Sequence, residues 1–282
     1  MKKLRLLPLL LALPFLSGCY SSYSIGTYAD ADKYLVGSQT YEGVLETLDI
    51  DWLAGRIELI SDESINGVKL IEENDLLDGD KVHSYYHDGI LNVKFMESGR
   101  RSSFDPVQKK LLLTYNPTEI KKIGIALTSG TLVAPKIVAK ESVIITMTSG
   151  NSSFEGIEAP SVSVTFTSGS FACKELKTPK ALLNATSGDM NINNIDADEF
   201  NADITSGSMT FSFSRFINSK LEMTSGNMNI TLPSDGGKVT VSKTSGSVST
   251  SRECTISGNL YTFGTSESKM NINITSGRVT LA

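Results

Sequence analysis

Apolar and polar residues alternate along most of the chain after residue 47. In one representative stretch the apolar positions are Val162, Val164 and Phe166, with a polar residue after each of the first two. A period of two is typical of a β-strand that buries one face. No window of comparable length keeps the 3.6-residue period of an amphipathic helix. The pattern therefore predicts an all-β fold.

Twice in each repeat of this pattern, the inward positions shift by one residue, from even-numbered to odd-numbered positions or the reverse. After Gly188 the apolar residues are Met190 and Ile192 and then Ile195, so one register slip falls between the last two. A second slip falls at a recurring Ser-Gly pair. A slip of one residue turns every later side chain to the opposite face, so the chain must bend or bulge at each slip. Each repeat is therefore predicted to be a coil of short strands around a filled interior.

One tripeptide, Thr-Ser-Gly, marks these repeats. It occurs eight times, with its threonines at Thr128, Thr148, Thr167, Thr186, Thr205, Thr224, Thr244 and Thr275. The first seven are 19 or 20 residues apart, which lies in the range of repeat architectures. Coils of this length that pair in parallel would stack about 4.8 Å apart. The predicted fold class is an all-β, single-chain β-solenoid, similar to a parallel β-helix, with coils of about 19–20 residues.

The stacked threonine and serine columns are expected to hydrogen-bond from coil to coil through their hydroxyls, as polar ladders do in stacked sheets. Eight serines at one corner indicate a scaffold rather than a nucleophile. The register also predicts which residues point inward and which face solvent. The predicted inward residues are Phe154, Phe166, Ile192 and Ile204, and the predicted outward residues are Ser163, Asn191 and Asp203.

The sequence divides into three predicted parts. Residues 1–18 are a signal peptide, residues 19–46 a lipidated N terminus and tether, and residues 47–282 the β-solenoid. Within the last part we expect irregular coils over 47–127, regular coils over 128–246 and irregular coils over 247–282. Terminal repeats are expected to be atypical because they shield the ends of the core. The polar stretches 61–67 and 74–88 are predicted loops.

The start of the chain carries a targeting signal. Three basic residues precede the apolar run Leu6–Leu16, which is too short to span a bilayer and ends in small residues. The string Leu16–Cys19 resembles the lipobox of bacterial lipoproteins. That resemblance implies that Cys19 becomes the first mature residue and carries the lipid. It also implies a place in the bacterial cell envelope, on the outer membrane or the outer face of the cytoplasmic membrane.

The repeats themselves have a known counterpart. A glycine-centred coil near Gly55, the string Asp88–Val93 and the Thr-Ser-Gly repeats together resemble the bacterial putative-adhesin family. The resemblance covers about 47–282. It implies a β-solenoid and adhesion, and it brings no catalytic residues to carry over.

The charge of the chain bears on its partners. The formal net charge is −5, and removal of residues 1–18, which contain three basic and no acidic residues, makes it −8. An acidic surface is a poor match for nucleic acid or anionic lipid headgroups. We therefore expect no nucleic-acid partner. The expected partners are the membrane, through the lipid anchor, and a glycan or protein of the cell envelope.

Few residues suggest chemistry. His83 and His87, with Asp88, could form a weak metal site, but no predicted helix supports their spacing and a solvated loop is favoured. Cys173 is predicted to be a small buried residue, and Cys254 is too many coils away to form a disulfide with it. Phosphate loops, cysteine-pair metal motifs and nucleophile elbows are absent from the sequence.

One acidic cluster is the best candidate for catalysis. Its members fall within a single predicted coil and are Asp189, Asp196, Asp198, Glu199 and Asp203. Parallel β-helix enzymes that act on polysaccharides use such carboxylates on an outer face. No adjacent coil offers a matching base, so a solvated acidic turn is favoured. The sequence thus predicts no enzyme, no cofactor and no catalytic or metal residues, and Cys19 is the one predicted site residue.

Three functions fit these observations. The first is a membrane-anchored, non-catalytic binding or adhesion scaffold. The second is a structural or accessory envelope protein without a ligand of its own. The third is a β-helix enzyme that acts on carbohydrate. The lack of carboxylates shared between coils argues against the third, and the sequence does not separate the first two.

Overall fold

A computed structural model describes residues 23–282, so Cys19 and the predicted signal peptide lie outside the described residues. This part of the chain contains strands and three short 3₁₀ turns, Ala31–Lys33, Asp78–Asp80 and Pro106–Gln108, and no α-helix. Within it, no helix has the length and apolar character needed to cross a membrane. The strands are β1 Tyr23–Ser24, β2 Leu35–Val36, β3 Gln39–Tyr41, β4 Thr47–Trp52, β5 Arg56–Ser61, β6 Val68–Glu72, β7 His83–His87, β8 Ile90–Lys94, β9 Arg101–Ser102, β10 Lys110–Tyr115, β11 Lys122–Leu127, β12 Thr131–Val138, β13 Ser142–Met147, β14 Asn151–Glu158, β15 Ser161–Phe166, β16 Ser170–Thr231, β17 Gly236–Lys243, β18 Ser247–Thr250, β19 Thr255–Ser257, β20 Leu260–Gly264 and β21 Lys269–Leu281.

The predicted β-solenoid is confirmed. Each regular coil contributes two strands, and each strand pairs in parallel with its counterpart in the next coil, as β12 does with β14 and β13 with β15. Like positions therefore lie above one another: Ala134 pairs with Phe154, and Val143 with Val162. The run β16 spans 62 residues because pairing continues through the corners of successive coils.

The predicted register is confirmed as well. Phe154, Phe166, Ile192 and Ile204 are buried, whereas Asn191 and Asp203 are exposed and Ser163 is half-buried. One inward column, nine residues after the glycine, is missing from the prediction. It holds Ala139, Ala159, Thr178, Ala197 and Phe216. Alanine and threonine give a weak hydropathy signal, and the buried Thr178 hydroxyl is satisfied locally by donating to the Lys180 carbonyl at 2.9 Å.

The glycines of the tripeptide stack directly on one another. Gly188 has φ +125°, and a Cβ atom at this position would lie 2.0 Å from the carbonyl oxygen of Gly169. Only glycine combines this backbone conformation with so close an approach of two chains. The stack runs in the spatial order Gly55, Gly130, Gly150, Gly169, Gly188, Gly207, Gly226, Gly277 and Gly246.

That order departs from chain order at both ends. Strand β21, which carries Gly277, lies between the coil of Gly226 and the coil of Gly246 and pairs in parallel with β16 on one side and with β17 and β18 on the other. At the other end, the β4–β5 coil adjoins the coil of Gly130, and the later strands β8 and β10 lie outside it. Thus the stacking order differs from the chain order at both ends of the solenoid.

Antiparallel strands cover the two ends of the solenoid. At the Gly55 end, β7 pairs with β8 and β6 with β10, and β2 and β3 pair with β7 and β6. Residues 23–46, assigned by sequence to a tether, therefore contain three short strands that pack on the domain. The stretch 74–88, predicted to be a loop, contains β7. At the Gly246 end, β17 pairs with β20 and β20 with β19.

Candidate binding face

The threonine and serine side chains of the eight tripeptides lie along one corner of the solenoid, and all are exposed except the half-buried Ser168. Their backbones form the ladder between coils: the amides of Ser149, Ser168 and Ser187 donate to the carbonyls of Thr128, Thr148 and Thr167 at 2.7, 2.9 and 2.8 Å. Among residues 23–282, none of these sixteen hydroxyls makes a hydrogen bond to another protein group. The predicted hydroxyl ladder is therefore wrong, because the backbone carries the contact between coils and the hydroxyls face solvent.

A second outward column runs beside the threonines, two residues before each of them. From one coil to the next, the paired strands place in it Ala126, Thr146, Thr165, Asn184, Asp203, Glu222, Asn273 and Ser242. We call this column and the tripeptide threonines together the polar face. It presents hydroxyls, amides and carboxylates at one coil spacing, about 4.8 Å.

The polar face becomes concave at the Gly246 end. An open groove of about 460 Å³ lies there, between β16, β21 and β17. Its polar lining consists of Asp203, Glu222, Thr224, Ser242, Lys243, Thr244, Asn273 and Thr275. Because β21 is inserted between the other two strands, Asn273 and Thr275 occupy the middle of the groove. The non-sequential stacking of the coils thus builds this site.

Charged groups within the groove are held by their neighbours. The Glu222 carboxylate accepts from Lys220 Nζ at 2.5 Å and from Asn273 Nδ2 at 3.1 Å. These hydrogen bonds hold the pKa of Glu222 below its usual value. The Lys243 ammonium donates to the Gly246 carbonyl at 2.9 Å. The groove therefore presents an ionised carboxylate and fixed polar groups rather than a protonated acid.

Comparison with known proteins places the chain in a family. A family model described as Toastrack DUF4097 matches residues 81–282, which is more than half of the chain. The chain belongs to the Toastrack family. No curated protein matches the sequence.

Solved structures resemble this Toastrack protein in fold. A putative adhesin from Bacteroides fragilis aligns with a TM-score of 0.57 and 10% identity over 89% of this chain and 97% of that one. A putative lipid binding protein from Parabacteroides distasonis aligns with a TM-score of 0.48 and 13% identity over 89% and 97% of the two chains. A putative adhesin from Parabacteroides merdae gives a TM-score of 0.47 and 10% identity over 92% and 98%.

The acidic cluster is dispersed around one coil of the Toastrack domain. The Arg215 guanidinium of the next coil binds Asp196 at 3.0 Å and Asp198 at 2.5 Å. Asp189 accepts from the Ser208 hydroxyl at 2.5 Å. Of the five carboxylates, Asp203 alone lines the groove. The cluster thus supplies ion pairs between coils. Asp198 and Glu199 line a second, open depression, and Asp203 shares the groove with Glu222 of the next coil.

The two histidines lie on β7 rather than on a loop. His83 is buried, with Nδ1 3.0 Å from the Lys81 carbonyl oxygen, whereas His87 is exposed and its ring lies 5.0 Å from that of Tyr85. The described residues contain no group of three or more His, Cys, Asp or Glu side chains that could hold a metal ion. Cys173 and Cys254 are both free, and burial raises the pKa of the Cys173 thiol to about 12.

A buried ion network near the Gly55 end is invisible in the sequence. Lys109 is fully buried, with Nζ 3.0 Å from Glu72 and 2.6 Å from the Asp80 carbonyl oxygen, and it also donates to the Phe95 carbonyl. Its ammonium lies 4.4 Å from the Phe95 ring centroid and 5.4 Å from that of Trp52. The polar surroundings of Lys109 in the sequence suggest a surface residue. In the fold it is surrounded by Trp52, Glu72, Asp80 and Phe95, which are distant from it in sequence.

Proposed function

We propose that this Toastrack protein is a non-catalytic binding scaffold of the cell envelope, held by a lipid on Cys19, whose polar face binds an extended glycan. The observation that carries the proposal is the row of exposed hydroxyls without protein hydrogen bonds. Such groups are available to pair with a ligand, and no hydrogen bond within the protein must break first.

The chemistry of the groove favours a glycan over a protein partner. Protein interfaces are enriched in aromatic residues and depleted of charge at their centres. The groove instead combines hydroxyls with Asn273, Glu222 and Lys243, and none of its lining residues is aromatic. A chain of sugar hydroxyls complements these alternating donors and acceptors. Repetition of similar groups on successive coils suits many weak contacts that act together.

The same groups argue against glycoside cleavage. That reaction requires one carboxyl with a raised pKa as the acid and a second carboxylate across the scissile bond. Lys220 and Asn273 lower the pKa of Glu222, the opposite of what an acid catalyst needs. The Asp196 and Asp198 carboxylates are bound by Arg215. We therefore assign the groove to binding alone.

A binding assay tests this assignment. The mature protein is incubated with a panel of envelope and extracellular polysaccharides, and both retention and product release are followed. We expect retention of at least one polysaccharide without products. Steady product formation that is lost in Asp196→Asn or Asp198→Asn would show an enzyme. Absence of both retention and products would favour a structural accessory role.

The anchor is tested separately. The wild-type chain should incorporate a labelled fatty acid and sediment with membranes, because the string Leu16–Cys19 provides the lipidation signal. Cys19→Ser should abolish the label and leave an uncut or soluble form. Cys254→Ser is the matched control and should label normally. Fatty-acid labelling that survives in Cys19→Ser would contradict the proposed anchor.

A further inference from the structure

Three segments form one body at the Gly55 end of the solenoid. We call residues 23–28, 74–81 and 97–109 the end lobe. Strand β1 pairs with β9 through Tyr23 and Ser102, and the Gly99 amide donates to the Gly26 carbonyl at 3.2 Å. The Glu97 amide donates to the Gly79 carbonyl at 3.0 Å, which joins the second segment to the third. Backbone hydrogen bonds therefore join the lobe to the start of the described chain.

The buried ion network fixes this lobe to the core. Lys109 Nζ donates to the Asp80 carbonyl, and the Asp80 carboxylate binds Arg100 Nε at 2.9 Å and Nη2 at 3.2 Å. Lys109 and Pro106 also place their carbonyls in the layer next to Gly55. The end lobe thus lies at one end of the glycine stack.

Two apolar side chains project from the lobe into solvent. Leu77 is 71% exposed and Val107 is 68% exposed, the highest values among the large exposed hydrophobic residues of the described chain. Each lies at a 3₁₀ turn, and the turns are joined because Asn74 Nδ2 donates to the Gln108 carbonyl at 3.0 Å. Singly exposed apolar residues are common on protein surfaces, but a pair on two joined turns offers an apolar contact site for another surface.

The length of the chain between Cys19 and β1 indicates which surface lies nearest to the end lobe. Three residues lie between Cys19 and Tyr23, and the four residue steps set a maximum reach of about 14 Å. The headgroup layer on each side of a bilayer is roughly 5–8 Å thick. A lipid on Cys19 would therefore hold the end lobe against the membrane surface, since β1 is pinned to β9.

We propose that the end lobe docks on the bilayer that carries the anchor, with Leu77 and Val107 at the boundary between headgroups and acyl chains. This inference rests on the proposed lipidation of Cys19 and not on glycan binding. The lobe carries four basic and five acidic side chains, so docking is apolar and does not require anionic lipid. Nine stacked glycines span about 38 Å, which places the groove at the end of the solenoid away from the membrane.

Depth measurements by electron paramagnetic resonance test the docking. A cysteine replaces Leu77 or Val107 in the Cys254→Ser background, in which the other free thiol of the described chain, Cys173, is buried. Ile256→Cys, at an exposed position on β19, is the matched control. The lipidated full-length protein carries a nitroxide at each position in phosphatidylethanolamine–phosphatidylglycerol vesicles. Collision rates with oxygen, which partitions into lipid, and with a water-soluble nickel complex give the depth within one sample.

We expect the ratio of oxygen to nickel collisions at positions 77 and 107 to exceed that at position 256 several-fold. Equal ratios at all three positions in protein that floats with the vesicles would overturn the docking while leaving the anchor intact. Protein that does not float would instead refute the lipid anchor. Shielding that appears in native envelope fragments but not in pure vesicles would assign the lobe to a protein partner and also overturn the proposal.

Discussion

Gly188→Ala is expected to lower the free energy of unfolding by more than about 4 kcal/mol. The new Cβ would lie 2.0 Å from the Gly169 carbonyl oxygen. The alanine would also have to keep the backbone angle φ +125°, which residues with a side chain rarely adopt. The clashing atom is backbone in the neighbouring coil, so it cannot move without breaking the parallel ladder. Urea denaturation of the two proteins measures the difference.

Gly156→Ala is the matched control in the same solenoid. Its φ lies outside the left-handed region, and the nearest atom to the new Cβ is Lys136 Cγ at 3.5 Å, an ordinary contact. We expect a change within about 1 kcal/mol. A similar loss of stability in both variants would show that the glycine stack is not what requires glycine at residue 188.

Lys109→Met is expected to lower the free energy of unfolding by about 3–5 kcal/mol. The change leaves the Glu72 carboxylate buried without its ammonium partner, 3.0 Å away in the wild type, and with the Val82 amide as its remaining donor in the described chain. The double variant Lys109→Met/Glu72→Gln removes both charges and should recover much of the loss. Lys110→Met, at the exposed neighbouring residue, should change stability by less than about 1 kcal/mol.

The buried lysine also gives the protein a pH signature. Burial lowers the pKa of Lys109 from 10.5 to about 8. Between these two pH values this residue binds more protons in the unfolded chain than in the folded chain, so the contribution of Lys109 to the free energy of unfolding rises with pH. The rise should be smaller in Lys109→Met/Glu72→Gln. An identical pH dependence in both proteins, or no recovery in the double variant, would contradict the role given to the network.

The sequence predicts the regular coils well because each coil repeats the same physical requirement. The spacing of glycines such as Gly169 and Gly188 and the alternation around Ile192 specify the register without knowledge of the neighbouring coils. The column of Ala159 and Thr178 is not predicted, because small or polar side chains carry little hydropathy signal. These side chains are nevertheless buried, like those of the apolar columns.

The ends of the solenoid and the groove are not predicted from the sequence, for a different reason. Strand β21 has the same tripeptide as its neighbours, so nothing in its sequence distinguishes stacking in chain order from insertion beside Gly226. The groove depends on that insertion, since it brings Asn273 between Glu222 and Ser242. Likewise, Lys109 meets Glu72 only through pairing of distant segments. The local pattern predicts the coils, whereas the order in which similar coils stack depends on the whole chain.

The most direct test of the binding role removes hydroxyls from the groove without changing side-chain shape. Thr224→Val/Thr244→Val/Thr275→Val alters three exposed lining residues, and Thr210→Val/Thr280→Val alters half-buried, outward positions away from the groove. Affinity for the polysaccharide retained by the wild type should fall tenfold or more, by roughly 0.5–1.5 kcal/mol per hydroxyl, in the first variant and stay unchanged in the second. Unchanged affinity in the first variant, or equal loss in both, would contradict the account.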